Sequence, residues 1–290
     1  MWIADAVNVT VLCEPWRLHP LAWIHRIEAR SIVTELERAG HAARLVRFRA
    51  SRIASLPPGS LLLRVSDPVM LQATHALTLA ARPYSGPAAA VLECSYDKHE
   101  AFRVAMAHGI ACPATALAAQ AGAIPFPLVL KPRRGSDSIG VKVLRSAPIP
   151  NRLLTDEHIA QEYVRGTELT IGVIRGQAGR PLRILLPEGT PYSFIRKYLF
   201  PPAREALRDD LLAARVRDTA LRIARFFGIN WAARIDFIYD ARHDRLCFLE
   251  CDAAPLVGTA SAFAASLAAA GITRAEQLRL LIDDSNCTNP

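Results

Sequence analysis

Apolar and polar residues alternate along the first part of the chain in a pattern that predicts strands separated by helices. Three short apolar runs have the length and composition of buried strands: 7–12, 43–48 and 61–65. Apolar residues recur at helical spacing in two longer stretches: 21–39, which stops at Gly40, and 69–81. Because a β-α-β order favours a parallel sheet, we predict a small α/β domain over residues 1–85.

The rest of the chain is predicted to contain more strands than helices. Strand-like runs occur in seven places: 127–131, 139–144, 158–164, 168–174, 181–186, 231–239 and 245–252. Helical spacing occurs in four: 97–108, 203–227, 260–270 and 273–284. We interpret the chain as an α/β (α+β) protein with two further units, 86–175 and 176–290.

The composition is that of a globular protein. Of 290 residues, 51% are hydrophobic and 21% are charged, and no window approaches the ~18 apolar residues of a membrane span. The N-terminus lacks the basic leader and apolar core of a signal peptide. The six cysteines are scattered without CxxC spacing, so we expect reduced thiols and a cytoplasmic location.

The net charge of +8 makes nucleic acid a partner to consider. The basic residues are spread along the chain, however, without long runs or interleaved aromatic residues, which argues against a nucleic-acid groove. The same field attracts anionic small molecules. We therefore expect small-molecule substrates, with no nucleic-acid and no membrane partner.

Lysine is rare in this sequence. Of the 35 basic residues only four are lysine: Lys98, Lys131, Lys142 and Lys197. Since a lysine ammonium is a compact point charge that suits phosphate, each is a candidate for a specific task.

Acidic residues follow the strand period at the end of the chain. Arg234 and Asp236 share one face of the strand 231–239, and Glu250 and Asp252 share one face of the strand 245–252. Phe248 has the same parity as Glu250, so we expect it deeper on that face. Three converging carboxylates repel one another, and oxygen-only ligands suit Mg²⁺. The alternative is a hairpin end in which Arg234 and water neutralise the carboxylates.

Two further segments combine a strand with a turn of small or polar residues. In PLVLKPRRGSDSIGVKVL a strand ends at Lys131 and enters a glycine- and serine-rich loop, whose backbone N–H groups could approach an anion. In IAQEYVRGTELTIGV a chain reversal could offer backbone groups to a purine ring, with Glu168 placed for ribose hydroxyls. The alternative for each segment is a plain β-hairpin.

The order of these segments is more specific than any one of them. Over about residues 80–285 the chain resembles the ATP-grasp fold and, within it, the D-alanine–D-alanine ligase family. The resemblance is carried by four segments: RPYSGPAAAVLECSYDK, VLKPRRGSDSIGVKV, YSFIRKY and LECDAAPLVGTASAF.

This resemblance implies an ATP-dependent ligase that forms C–N bonds through an acyl phosphate and releases ADP. It implies two Mg²⁺ ions, which Mn²⁺ could replace, and a homodimer formed through the N-terminal domain. The implied ATP contacts are Lys98 and Lys131 for the phosphates, Ser138 in the loop that covers them, Gln161, Glu162 and Val164 for adenine, Glu168 for ribose, and Lys197 for the γ-phosphate. The implied metal ligands are Asp236, Glu250 and Asp252.

The resemblance also implies a site for two amino-acid-like substrates. Arg234 and a backbone N–H near Leu256 would stabilise the tetrahedral oxyanion, Ser261 would bind the acceptor carboxylate, and Asp137 and Tyr198 would border the substrates. Ser138, Lys197 and Arg234 are the implied catalytic residues.

Four departures from the family pattern concern the substrates more than the nucleotide. LCEPWRLHP, with Glu14, stands in place of a GGxSxE segment, and SLLLRVSDPVM in place of HGxxGEDG. Asp137 replaces a serine and Asp252 replaces a metal-binding asparagine. His25 and Glu28, one turn apart on the first helix, could line an altered pocket, although we favour a surface pair.

From these departures we predict a specialised amide-forming ligase acting on an unusual amino acid, giving a dipeptide or a cyclised product. One alternative is the D-alanine–D-alanine ligase of cell-wall synthesis. The other is a non-catalytic nucleotide-binding module.

Overall fold

Parallel strands form the first domain, as the β-α-β pattern predicts. The structure is a computed structural model and describes residues 6–15, 20–135, 139–185 and 202–283. Three strands pair in the order β2-β1-β3: β1 (Asn8–Cys13), β2 (Ala42–Arg47) and β3 (Ser60–Arg64). Two helices accompany them: α1 (Pro20–Arg38) and α2 (Asp67–Leu79). The central position of β1 brings its carboxyl end beside that of β3.

A four-stranded antiparallel sheet follows in the middle of the chain. Its strands pair in the order β4-β7-β5-β6: β4 (Thr115–Leu117), β5 (Leu128–Pro132), β6 (Lys142–Leu144) and β7 (His158–Glu162). Two helices lead into it: α3 (Ala89–Tyr96) and α4 (Lys98–Ala107). Short 3₁₀ helices lie at Ala50–Ser55, Ala118–Ala123 and Asn151–Leu153.

A larger antiparallel sheet holds the last part of the chain. Its path is β11-β10-β8-β12-β13, with β9 beside β8: β8 (Thr167–Ile174), β9 (Gln177–Ala178), β10 (Leu182–Ile184), β11 (Arg204–Ala206), β12 (Ala232–Asp240) and β13 (Arg245–Asp252). Three helices complete the described chain: α5 (Asp210–Phe226), α6 (Ala262–Ala269) and α7 (Arg274–Ile282). No helix in the described ranges is long and apolar enough to cross a membrane.

The predicted helix over 203–227 is wrong in its first turns. Residues Arg204–Ala206 are strand β11, which pairs antiparallel with β10, and the helix begins only at Asp210. The Asp209 carboxylate accepts a hydrogen bond from the backbone N–H of Leu212 at 3.0 Å and so caps the helix there. A three-residue strand is too short to show its own period in the sequence.

Helix α5 covers one face of the large sheet and leaves the other face for the site. The α5 side chains that pack on the sheet are buried at helical spacing: Ala213, Val216, Ala220, Ile223 and Ala224. From the sheet, Ile235 and Phe237 of β12 and Phe248 of β13 meet them and are fully buried. Alternation along β12 therefore directs Arg234 and Asp236 away from this core.

Candidate active site

A β-bulge decides which side chains of β13 face the site. Phe237 of β12 pairs with Phe248, whereas Asp236 pairs with Glu250, so Leu249 is an extra residue in β13. An extra residue reverses the alternation of the strand. Phe248 therefore packs in the core below the sheet although Glu250, two residues later, faces the other side. The sequence predicted Phe248 deeper on the same face as Glu250; the bulge puts it on the opposite face.

Above the bulge, the register brings the predicted charged residues together. Arg234 lies opposite Asp252, and Asp236 lies opposite Glu250, on one face of the paired strands. Arg234 Nε is 3.2 Å from Asp236 Oδ1, and Arg234 Nη1 is 3.4 Å from Asp252 Oδ2. Thr170 of β8 donates its hydroxyl to Asp236 Oδ1 at 2.6 Å. The carboxylates are thus held in place by groups from two strands.

The charge at this position is unbalanced. Burial acts to lower the pKa of Arg234, but Asp236, Asp252 and Glu250 raise it well above its usual range, so the guanidinium stays charged. Burial raises the pKa of Asp252 to about 7; Arg234 opposes that rise, while Asp67 and Glu250 add to it. Three carboxylates lie around this one guanidinium, and such a group of acidic side chains favours an added cation.

The donor set fits Mg²⁺. Asp236, Glu250 and Asp252 offer only oxygen atoms, which Mg²⁺ prefers, and the ion completes its shell with water or phosphate oxygens. Within the described ranges no three His, Cys, Asp or Glu side chains already surround a common metal position. Asp236 and Asp252 turn toward Arg234 instead, so the ion pairs of the alternative interpretation are present as well.

These residues form one wall of a cleft of about 350 Å³. Residues of the first domain, α4, the large sheet and the segment after β13 all line it. Those predicted from the sequence are Lys98, Glu168, Arg234, Asp236, Glu250, Asp252, Leu256 and Ser261. The cleft therefore brings together the predicted ribose, phosphate, metal and acceptor contacts.

Asp97 fixes the basic loop that borders this cleft. It caps α4 by accepting from the N–H of Glu100 at 3.2 Å, and it forms ion pairs with Arg133 at 2.8 Å and Arg134 at 3.0 Å. Lys98 N–H donates to the Arg133 carbonyl at 2.9 Å, and Lys98 Nζ donates to the carbonyl of Gly135. The sequence analysis singled out Lys98 but missed Asp97, although both belong to the same DK pair.

The middle sheet holds one predicted phosphate contact, Lys131, and two predicted adenine contacts, Gln161 and Glu162; the third, Val164, follows its strand β7. Lys131 Nζ donates to Gln161 Oε1 at 3.0 Å and lies 5.2 Å from the ring centroid of Phe102. Glu162 forms an ion pair with Arg245 at 2.5 Å, and Val164 is buried. These four predicted residues do not line the cleft described above. Four other predicted residues, Asp137, Ser138, Lys197 and Tyr198, lie outside the described residues.

Ser261, the predicted contact of the acceptor carboxylate, lines the cleft together with Arg204. The Ser261 hydroxyl oxygen accepts from the N–H of Ala264 at 3.0 Å and caps α6. Arg204 Nη2 donates to the carbonyl of Ala260 at 2.9 Å and also lines the cleft. Sequence analysis missed Arg204 because it assigned this residue to a helix.

The preferred interpretation of His25 and Glu28 as a surface pair is wrong. Each is only 8% exposed. His25 lines the cleft, while Glu28 pairs with the fully buried Arg64. Glu14 is also buried; its carboxylate accepts from the N–H of Ser66 at 2.7 Å and from the hydroxyl of Ser66 at 3.0 Å. The donors that stabilise these buried carboxylates lie far away in the sequence: Ser66 for Glu14 and Arg64 for Glu28.

Comparison with known proteins settles the family. The profile described as "D-ala D-ala ligase C-terminus" matches residues 101–283. The chain belongs to the D-alanine–D-alanine ligase family. Ligases of this family have the ATP-grasp fold, use ATP and Mg²⁺, and form C–N bonds with release of ADP, so the fold, the enzyme class and the cofactors expected from the resemblance are confirmed at this level.

Individual relatives agree with this assignment. The D-alanine–D-alanine ligase of Bordetella petrii is 29% identical over 231 residues, which cover 73% of this chain and 71% of the relative. That of Aquifex aeolicus is 26% identical over 60% of this chain and 63% of its own length. Two crystal structures of the D-alanine–D-alanine ligase from Bacillus anthracis, one of them complexed with ATP, match the chain with a TM-score of 0.79 at 18% identity over 97% of both chains.

Replacing Asp236 by Asn tests the metal assignment. The change removes a charged oxygen donor but keeps the shape of the side chain, so Mn²⁺ affinity in the presence of ADP should fall by at least about tenfold in an electron paramagnetic resonance titration. Asp240→Asn, at the hairpin end of the same strand, is the matched control and should bind Mn²⁺ as the wild type does. Equal affinities in the two variants would refute the assignment.

Replacing Asp97 by Asn tests how the phosphate-side loop is held. Burial opposes ionisation of Asp97, but hydrogen bonds from Arg133 and Glu100 N–H leave its pKa below the usual value. Its contribution to stability is therefore present above the unfolded pKa of about 3.9 and is lost as pH falls through the lower folded pKa. We expect the variant to lose about 1–3 kcal/mol in urea denaturation at pH 7, and we expect this difference to shrink only as the pH falls below about 4.

Glu100→Gln serves as the control for Asp97→Asn. Glu100 pairs with Arg103 on the surface of the same helix, with the Arg103 side chain 63% exposed, so its loss should cost less than about 1 kcal/mol. A cost of Asp97→Asn no larger than that of Glu100→Gln, or one independent of pH, would contradict this account.

Proposed function

We propose that this protein joins the carboxylate of one amino acid to the amine of a second, with a pair of D-alanines as the preferred substrates. The observation that carries the proposal is the placement of Arg234 among three carboxylates in a cleft that also holds Lys98, a backbone segment at Leu256, and Ser261. The relatives that match the chain are described as D-alanine–D-alanine ligases, which favours this substrate pair over an unusual amino acid.

The nucleotide side of the cleft supplies charge compensation. Asp236, Glu250 and Asp252 are the residues that would hold Mg²⁺, and the bound ions would neutralise negative charge on the transferring phosphoryl group. Lys98 adds positive charge near the phosphates, and Glu168 accepts hydrogen bonds from ribose hydroxyls. Lys131 and Gln161, hydrogen-bonded to each other, stand on the adjacent sheet toward the base and the inner phosphates.

The first chemical step activates the carboxylate. A carboxylate is a poor electrophile, so its oxygen attacks the γ-phosphorus of ATP, the bond to the β,γ-bridging oxygen breaks, and ADP leaves. The product is an acyl phosphate, whose phosphate is a good leaving group. Lys98, which lines the cleft, offsets the charge of the reacting phosphates, and Mg²⁺ held by the carboxylates would add to this effect.

The second step forms the amide. The amine nitrogen of the acceptor attacks the acyl carbon, and the negative charge that develops on oxygen lies near Arg234 and the N–H of Leu256. Collapse of this intermediate expels inorganic phosphate, and the nitrogen loses a proton. Arg234 is suited to the role because Asp236 and Asp252 hold its guanidinium from two sides and keep it protonated. The acceptor carboxylate lies toward Ser261 and Arg204.

A second candidate is a ligase for an unusual amino acid, and one observation favours it. At the first-substrate end, both oxygens of Glu14 accept from Ser66, and Tyr96 donates its hydroxyl to Asp67 at 3.1 Å. This arrangement replaces the GGxSxE and HGxxGEDG segments, so the first substrate meets different polar groups. A homodimer and a cytoplasmic location remain predictions under either candidate.

Substrate preference is tested by coupled ADP release with a panel of D- and L-amino acids, alone and in pairs. We expect D-alanine with D-alanine to give the highest kcat/KM. A larger and non-canonical amino acid in first place would support the second candidate instead. No ADP release with any pair, together with normal ADP binding, would favour a non-catalytic nucleotide-binding module.

Lys131→Ala tests the nucleotide contacts, and the chain contains a matched control. Lys131 is 8% exposed and contacts Gln161 and Phe102, so we expect its removal to abolish turnover while circular dichroism stays that of the wild type. Lys142 lies exposed on the neighbouring strand β6, and Lys142→Ala should retain full activity. An unchanged rate in Lys131→Ala would refute its assignment to ATP.

A further inference from the structure

The segment between β13 and α6 is anchored by a charged residue of the first domain. Glu28 of α1 accepts two hydrogen bonds on Oε1, from the N–H of Val257 at 2.6 Å and from the N–H of Gly258 at 2.8 Å. These backbone groups follow directly on Leu256, which lines the cleft. A side chain 229 positions away in sequence therefore fixes the backbone of the acceptor end of the site.

Arg64 completes this contact from β3. Its Nε and Nη2 donate to Glu28 Oε2 at 3.0 and 2.5 Å, and Nη2 also donates to the carbonyl of Pro255 at 2.9 Å. Arg64 is fully buried, and its Cζ atom lies 5.9 Å from the centroid of the Trp231 ring. The Glu28–Arg64 pair thus binds the segment on both sides of Leu256, at residue 255 and at residues 257 and 258.

The main effect of the Glu28–Arg64 pair is to fix the directions of the groups that are hydrogen-bonded to it. A carboxylate has about four acceptor positions, and Glu28 uses them for two backbone N–H groups and two guanidinium N–H groups. In a buried place, charge-assisted hydrogen bonds hold their donors at fixed angles, since a tilted donor would leave a charge unpaired. Glu28 does not bind the N–H of Leu256. Within the described part of the chain this N–H has no hydrogen-bond acceptor.

We infer that Glu28 is a positioning residue for the amide-forming step. Through Val257 and Gly258 it sets the direction of the Leu256 N–H and the entry of the chain to Ser261. The inference rests on the proposed function and extends it, because it makes the first domain part of the acceptor site. Glu28 itself does not line the cleft, whereas His25, one turn earlier on α1, does.

A second contact also holds this segment against α1, so the role of Glu28 can be tested apart from folding. Arg274 of α7 donates from Nη1 to the Val257 carbonyl at 2.8 Å and pairs with Glu35 of α1 at 2.6 Å. Since this contact joins the same segment to α1 without Glu28, loss of Glu28 should let the backbone at 256–258 rotate without detaching it.

The test uses Glu28→Gln and Glu28→Ala in the full chain. Glutamine keeps an oxygen for the two backbone N–H groups but turns an NH₂ group toward Arg64, and alanine removes both contacts. With D-alanine as acceptor, we expect the acceptor KM to rise and kcat for dipeptide formation to fall, by about 10-fold to 100-fold in kcat/KM, more in Ala than in Gln. The KM for ATP should stay unchanged.

The rate of acyl-phosphate formation distinguishes a positioning role in the second step from a merely structural role. Positional isotope exchange in ¹⁸O-labelled ATP follows that first step alone, and we expect it to proceed at the wild-type rate in both variants. Leu36→Ala, in the buried face of the same helix, is the control. It lowers stability by a cavity but removes no hydrogen bond to the Val257 and Gly258 N–H groups, so per folded molecule its acceptor KM should equal that of the wild type.

Amide hydrogen exchange at Val257 and Gly258 decides the contact without any substrate. We expect these two N–H groups to exchange at least about tenfold faster in Glu28→Ala than in Leu36→Ala at equal global stability. Unchanged exchange, an unchanged acceptor KM, or equal losses for ATP and acceptor would each overturn the inference. Altered exchange in a protein that ligates no amino acids would confirm the anchor but refute the proposed function and the positioning role with it.

Discussion

Arg234 stands among three carboxylates, and the pairing of β12 with β13 places them around it. Its position opposite Asp252, and that of Asp236 opposite Glu250, follow from the β12–β13 register. Below the same strands, Phe237 and Phe248 are locked into a core with α5. Because a slip of one residue would bury the charges and expose the phenyl rings, the core below fixes the electrostatics above. A site that is to bind a cation and phosphate side by side needs its charged side chains at fixed positions.

Sequence periodicity predicts part of this arrangement and misses the rest for identifiable reasons. The i,i+2 spacing of Arg234 and Asp236 was sufficient to assign their common face. The same spacing put Phe248 on the wrong face of β13, because the amino-acid sequence does not show that Leu249 is the extra residue of a bulge. Arg204 was missed for a related reason: its strand has three residues, and the apolar pattern around it continues into a helix.

The burial of Glu28 shows a different limit of sequence analysis. On a surface helix a glutamate is normally exposed, and local pattern gives no sign of an exception. The exception arises from Arg64 at the end of β3 and from backbone N–H groups after β13, which meet α1 only in the folded chain. The family resemblance did not indicate the burial of Glu28 either, because it is weakest over the first domain, where the departures from the family segments lie.

The two ends of the cleft consequently depend on the first domain in different ways. At the end that the proposal assigns to the first substrate, Ser66 and Asp67 line the cleft, and the buried Glu14 accepts hydrogen bonds from Ser66. At the end that the proposal assigns to the acceptor, Arg64 of β3 and Glu28 of α1 hold the backbone beside Leu256 and do not line the cleft themselves. Under the proposed function, a change in the sequence of this domain would alter which amino acid is activated and leave the geometry of amide formation intact, provided that Glu28 and Arg64 remain paired. On that proposal, the first domain can depart far from the family segments while the carboxylates and Arg234 keep their arrangement on β12 and β13.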